Sequence, residues 1–123
     1  MIAIDSNIFI YLLENNTEFY DKTRGLFLTL NKKHSSICSE ITIAEIYSSN
    51  NIVTKLYALK HNTVVPITRE ILMLSGKIRI QLGLKTIDSI HLATAIHHKA
   101  TEFITNDHVL AKKAAKLIPT RTL

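Results

Sequence analysis

Ile2-Ala3-Ile4-Asp5-Ser6-Asn7-Ile8-Phe9-Ile10-Tyr11-Leu12-Leu13-Glu14 opens the chain and carries the reading of its fold. Ile2-Ala3-Ile4 is a brief apolar run that ends at Asp5, and Asn7 to Glu14 reads as a helix with Ile8, Ile10, Tyr11 and Leu12 as its apolar content. A strand, an acid and a helix thus follow one another within a few residues. The alternation of short β-branched runs with longer helical ones continues to the end, without an internal repeat, a linker or a low-complexity tract. Working outward, Phe19 to Leu30 reads as a second helix and Ser35 to Cys38 as a second strand. Thr42 to about Leu59 is helical, with a break expected near Asn50-Asn51. Thr63-Val64-Val65-Pro66-Ile67 is a third strand whose proline suits an edge or a strand end.

Thr68 reads as the N-cap of a helix to about Leu82, with Ile71, Leu74, Ile78 and Leu82 on one stripe and Gly83 as the residue that ends it. Thr86 to His98 is the next helix and Glu102-Phe103-Ile104-Thr105 the fourth strand. His108 to Lys116 is a last amphipathic helix, and Leu117-Ile118 adds a final strand. Strands that alternate with helices predict an α/β fold: a mostly parallel sheet of four to five strands covered on both faces. In such sheets ligands bind outside the carboxyl ends of the strands.

The 123 residues are enough for one domain, and 46% hydrophobic against 20% charged is ordinary globular composition. Three glycines and two prolines disfavour collagen-like, linker-like and many-turned all-β chains. A single cysteine, Cys38, excludes an internal disulfide framework and a multi-cysteine zinc site, and its neighbours Ser36-Ile37 read as a buried strand. The opening residues lack the positive leader and apolar core of a signal peptide, and no uncharged apolar run approaches a membrane span. The expectation is a soluble protein of the reducing cytoplasm, with no membrane partner. Fifteen Lys and Arg against ten Asp and Glu give a net charge of +5, which suggests a polyanionic partner such as nucleic acid.

Only ten acidic residues exist, so their positions can be weighed one by one. Asp5 ends the first strand, Asp107 lies just beyond the fourth, and Glu45 and Asp88 lie early in helices that follow the second strand and Gly83. All four belong to the carboxyl edge of a parallel sheet and can converge there. Each also has a local explanation. Asp5 and Asp107 can cap the helices that follow them, and Asp88 can favour a helix dipole. Thr42-Ile43-Ala44-Glu45 fits a capping box. Asp88, however, sits in Ile87-Asp88-Ser89-Ile90-His91-Leu92-Ala93-Thr94-Ala95-Ile96, a helix apolar on most sides, where a carboxylate is costly unless it is paired or on a metal. His91, three residues on, shares its face and can reach the site or make a structural hydrogen bond.

Taken together, Ile4-Asp5-Ser6-Asn7, Ser39-Glu40-Ile41-Thr42-Ile43-Ala44-Glu45, Asp88-Ser89-Ile90-His91-Leu92-Ala93-Thr94-Ala95 and Phe103-Ile104-Thr105-Asn106-Asp107 resemble the PIN-domain nucleases, most closely the small bacterial and archaeal toxins of the VapC type. The resemblance runs in family order from residue 4 to 107. It implies a single PIN-like domain over residues 1–123, a three-layer α/β/α architecture and a metal-dependent ribonuclease. By motif, Asp5, Glu45, Asp88 and Asp107 match the acidic catalytic site, with Asp5, Asp88 and Asp107 as metal ligands and Asn7 and Thr105 as supporting polar residues. Glu40 reads as a solvent or partner contact. The resemblance also implies an RNA substrate, a cognate antitoxin protein and a homodimer. Leu26, Phe27, Leu30 and the segment Asn51 to Leu59 serve as surfaces for such partners or as core.

Hard oxygen ligands suit Mg²⁺ or Mn²⁺. Setting the four acids aside leaves six acidic against fifteen basic residues, a surplus of nine positive charges. Lys32-Lys33-His34, Lys77, Arg79, Lys85 and Lys112-Lys113-Lys116 can line a path for a phosphate backbone or simply solvate a face. Two other readings compete with a nuclease. A phosphotransfer domain forming an aspartyl phosphate needs a second Asp beside the first or two residues after it, where this chain has Ser6 and Asn7. A non-catalytic module of the same fold, binding RNA or protein, would be favoured by loss of one of the acids, and all four are present.

Overall fold

The computed structural model describes residues 1–123. Its elements in chain order are β1 (Ile2–Ile4), α1 (Ser6–Leu13), α2 (Tyr20–Leu28), β2 (Ser36–Ser39), α3 (Ile41–Ile46), α4 (Asn50–Ala58), β3 (Asn62–Val65), α5 (Arg69–Leu82), α6 (Thr86–His97), β4 (Glu102–Ile104), α7 (His108–Ala114) and β5 (Thr120–Arg121). The five strands form one sheet in the order β3-β2-β1-β4-β5, and every pairing is parallel. No helix is long and apolar enough to cross a membrane.

Strand periodicity sorts the core into two layers. Successive side chains leave opposite faces of a strand, so Ala3, Ile37, Val65 and Phe103 enter one cluster with Ile71, Ile78 and Leu92 from α5 and α6 and Leu110 and Ala114 from α7. Ile4, Cys38 and Ile104, each one residue on, enter the other with Ile8, Phe9, Leu26, Ile46, Ile52 and Leu56 from α1 to α4. The result is a three-layer α/β/α sandwich. Leu26, Leu30, Ile52 and Leu56 are all buried in it, so these residues of the two candidate partner surfaces are core. Burial pushes the Cys38 thiol up to about 11, which leaves it an inert packing group.

Strand order places the functional edge. The chain builds outward from β1 to β2 to β3, then returns to set β4 against the other side of β1. The crevice of a doubly wound sheet lies where this order reverses, here beyond the carboxyl ends of β1 and β4. Ile4 pairs with Ile104, so the residues that follow, Asp5 and Thr105, leave the sheet side by side.

Two boundaries differ from the expectation. The long helix breaks at Tyr47 to Ser49, just ahead of Asn50, which starts α4 instead of interrupting a helix. The last strand is Thr120–Arg121, not Leu117-Ile118. The amides of Leu117 and Ile118 are used to close α7 on the carbonyl of Ala114, and Ile118 is core. The ladder to β4 begins only at Pro119, whose carbonyl accepts from the Phe103 amide. Pro66 follows β3, which is an edge strand, as its proline suggested. Gly83 ends α5 in the left-handed region at φ 67°, a conformation that favours glycine.

Candidate active site

Asp5 is the centre of the arrangement and is only 4% exposed. Its Oδ1 accepts from the Ser6 amide at 2.8 Å, capping α1, and its Oδ2 accepts from the Thr105 hydroxyl at 2.7 Å. Thr105, fully buried, gives its one proton to Asp5 and accepts from the Asp107 amide at 3.1 Å, with the Asn7 amide nitrogen 3.5 Å away. Asn7 in turn accepts from the Asn106 amide at 3.4 Å. Asn7 and Thr105 therefore tie the end of β1 to the end of β4. Asp107 caps α7, its Oδ1 accepting from the amides of Val109 and Leu110 at 3.0 Å.

The capping readings of Asp5 and Asp107 hold, and they do not compete with membership of a cluster: the cap sets the rotamer that aims the carboxylate. The capping-box reading of Glu45 does not hold. α3 begins at Ile41, which puts Thr42 inside the helix, buried, and moves Glu45 into the second turn. There Glu45 Oε1 lies 2.5 Å from His91 Nε2, which is also 3.4 Å from Asp5 Oδ1. The ligand atoms of Asp5, Glu45 and His91 all fall within 4.8 Å of one another. Glu40 belongs elsewhere: exposed, it accepts from the Ile67 amide at 2.8 Å and fastens the loop after β3.

α6 supplies the other two members from one face. Seven consecutive residues, Ser89 to Ala95, are buried, which makes α6 a core helix, and its first turn brings Asp88 half-buried to the same edge. Burial raises the Asp88 carboxyl above its ordinary 3.8, and the charges of Asp5, Asp107 and Glu45 add to the rise against His91. Burial would also raise Glu45, but the His91 hydrogen bond and charge, with a hydrogen bond from Ser6, hold it below 4.5. Burial opposes charge on His91 too, yet Glu45, Asp5 and Asp88 raise it above 6.5. Its Nδ1 is buried without a partner, so the acids on the Nε2 side carry that balance.

The structure thus brings Asp5, Glu45, Asp88 and Asp107 to one edge, with His91 among them. His91 takes the site position, and its three-residue spacing from Asp88 is the sequence signal for it. Ser6 gave no signal. A cavity of about 250 Å³ opens beside Asp88 and Asp107. The largest concavity, about 470 Å³, is lined by the end of α1, by α2 and by Leu59 to His61, away from the acids. Crowded carboxylates are hard oxygen donors that fit a divalent cation such as Mg²⁺ or Mn²⁺; burial first and like charge second raise Asp88, and a bound cation relieves the second.

These shifts predict how stability depends on pH in EDTA. The raised His91 contributes stability that is fully present below 6.5 and is lost as pH rises through its folded value. The lowered Glu45 contributes stability present above 4.5 and lost as pH falls through its folded value. The thermal midpoint in EDTA should therefore peak on the mildly acidic side of neutrality. His91→Gln should remove the alkaline decline, and an identical decline in that variant contradicts the assignment.

An all-parallel α/β/α sandwich with carboxylates gathered where its strand order reverses defines the class. The sequence matches the PIN domain family over residues 2–116, and the chain belongs to that family. Among solved structures, a toxin-antitoxin complex from Klebsiella pneumoniae is similar, with 24% identity over 98% of this chain and 95% of that one and a TM-score of 0.74. VapBC2 from Rickettsia felis, bound to a DNA fragment from its promoter, is similar at 18% identity over 99% of this chain and 98% of that one, with a TM-score of 0.69. FitAcB from Neisseria gonorrhoeae is similar at 16% identity over 98% and 96%, with a TM-score of 0.69. A comparison with curated proteins gives no match.

Proposed function

We propose that this protein is a Mg²⁺- or Mn²⁺-dependent endoribonuclease and the toxin of a toxin–antitoxin pair. One observation carries the reading: four carboxylates from residues 5, 45, 88 and 107 converge at the switch point of the sheet, and only one buried cation-forming group, His91, lies among them. Asp5, Asp88 and Asp107 would hold the metal. Glu45 ligates it or positions water. When bound, the cation supplies Lewis acidity, offsetting charge on the scissile phosphate and acidifying water.

The chain's own residues supply the rest. Thr105 and the Ser6 amide occupy both oxygens of Asp5 and fix its orientation, so its charge is preorganised. Asn7 holds the loop that carries Asp107. Glu45, whose carboxyl the His91 contact lowers, stays ionised and can orient the attacking water by accepting a hydrogen bond from it. The reaction is in-line hydrolysis: a water oxygen bonds to phosphorus, one P–O bond breaks, and no covalent enzyme intermediate forms. The similar structures include a toxin-antitoxin complex, which supports an antitoxin partner here. Leu72, Met73 and Ile80, exposed at 50%, 62% and 76% on α5, are a surface that a second copy would cover in a homodimer. The cytoplasm is the expected setting.

The test incubates purified protein with a panel of cellular RNAs in Mg²⁺, in Mn²⁺ or in EDTA. Cleavage is expected with either metal and none in EDTA. Cleavage that persists in EDTA contradicts the proposal.

A further inference from the structure

The cavity beside Asp88 and Asp107 is also lined by Lys85 and Lys113, with Gly83, Leu84, Val109 and Leu110 completing its wall. At about 250 Å³ it far exceeds the roughly 30 Å³ share of one water. Two lysines and two aspartates line this space, and neither lysine forms an ion pair. The ion pairs in the protein are His91 with Asp5 and Glu45, and Arg121 with Glu102.

Lys85 is placed in a way that local stability does not explain, whereas Lys113 suits the last turn of α7. Lys85 is the N-cap of α6, with φ −69° and ψ 153° and no side-chain cap bond. A cation there opposes the helix dipole, and a Ser, Thr, Asn or Asp would serve the cap better. Such departures from local preference are expected at functional positions. Lys113 donates from Nζ to the Gly83 carbonyl at 3.0 Å, which anchors the ammonium at the cavity wall and leaves two of its three protons for a ligand.

We propose that Lys85 and Lys113 seat a backbone phosphate of the RNA adjoining the one that is cleaved. The inference rests on the RNA reading above and deepens it by naming the substrate contact. Asp88 and Asp107 would hold the metal that serves the scissile phosphate, and the lysines bind the neighbouring phosphate in the same cavity. Since the contact is to the backbone, it affects affinity alike for all sequences.

The test uses the full chain, a fluorescein-labelled single-stranded RNA of mixed sequence, and Ca²⁺ in place of Mg²⁺. Lys85→Ser is the main variant, because serine fits the cap. It should raise the thermal midpoint by about 3 °C. It should also weaken RNA binding about tenfold at low salt and flatten the log–log salt dependence by about 0.7. Lys85→Arg should bind as wild type does, and Lys113→Gln should weaken binding without the gain in stability. A lysine that only solvates the surface gives the stability gain with unchanged affinity. If wild type binds RNA and both Lys85→Ser and Lys113→Gln bind equally well, this inference alone is overturned. Failure of the wild type to bind overturns it together with the RNA reading. Binding that responds to the lysines, without cleavage in Mg²⁺ or Mn²⁺, supports the seat and overturns only the nuclease.

Discussion

Asp5→Asn is expected to lower RNA cleavage by about three orders of magnitude and to leave the fold standing. Asparagine keeps the shape of the side chain. Its Oδ1 can still accept from the Ser6 amide, and its amide nitrogen can donate to the Thr105 hydroxyl in place of accepting from it. What is lost is one negative charge at a site only 4% exposed, where water screens little. The proposed metal then loses the ligand nearest the switch point, and His91 loses one of its two acidic partners. Single-turnover cleavage in Mg²⁺, with circular dichroism as the control for folding, measures this. An Asp5→Asn variant that is folded and within tenfold of wild-type activity contradicts the assignment.

Asp88→Asn is expected to cost between a hundredfold and about a thousandfold in cleavage, with an opposite sign in stability when metal is absent. Ionised Asp88 is half-buried and held among like charges, and because both effects raise its carboxyl its charge destabilises the fold at neutral pH. A neutral amide removes that repulsion, so in EDTA the variant should melt above wild type. In saturating Mn²⁺ the order should invert, because a metal that binds only the folded state stabilises wild type more than a variant lacking one ligand. Thermal unfolding of both proteins in EDTA and in Mn²⁺ reads the crossing directly. Curves that keep the same order in both conditions contradict a metal role for Asp88.

Most of this architecture was legible in the sequence, for a physical reason. The central strands β1, β2 and β4 are buried on both faces and leave short apolar runs that stand out, with residues alternating between two helical layers, as Ala3 with Ile4 and Phe103 with Ile104 do. The positions of Asp5 and Asp107 followed from the rule for parallel sheets, and the pairing of Ile4 with Ile104 bears it out. What stayed hidden depended on one-residue shifts and on contacts across the chain. Starting α3 at Ile41 turned an apparent capping box into a Glu45–His91 contact, and no local pattern distinguishes the two. The last strand slipped because helix closure consumed the amides of Leu117 and Ile118. The cavity that joins Lys85 to Lys113 links residues from the α5–α6 loop and from α7, so only the fold could separate these two lysines from the other basic residues.

If the four acids form one divalent-metal site, a titration of the metal itself reads it out. Mn²⁺ added to metal-free wild-type protein should lose its free-ion electron paramagnetic resonance signal as it binds, and Mg²⁺ should restore the signal by competition. Asp5→Asn should abolish that loss. A free Mn²⁺ signal undiminished by folded wild-type protein, or one diminished equally by Asp5→Asn, would contradict the account.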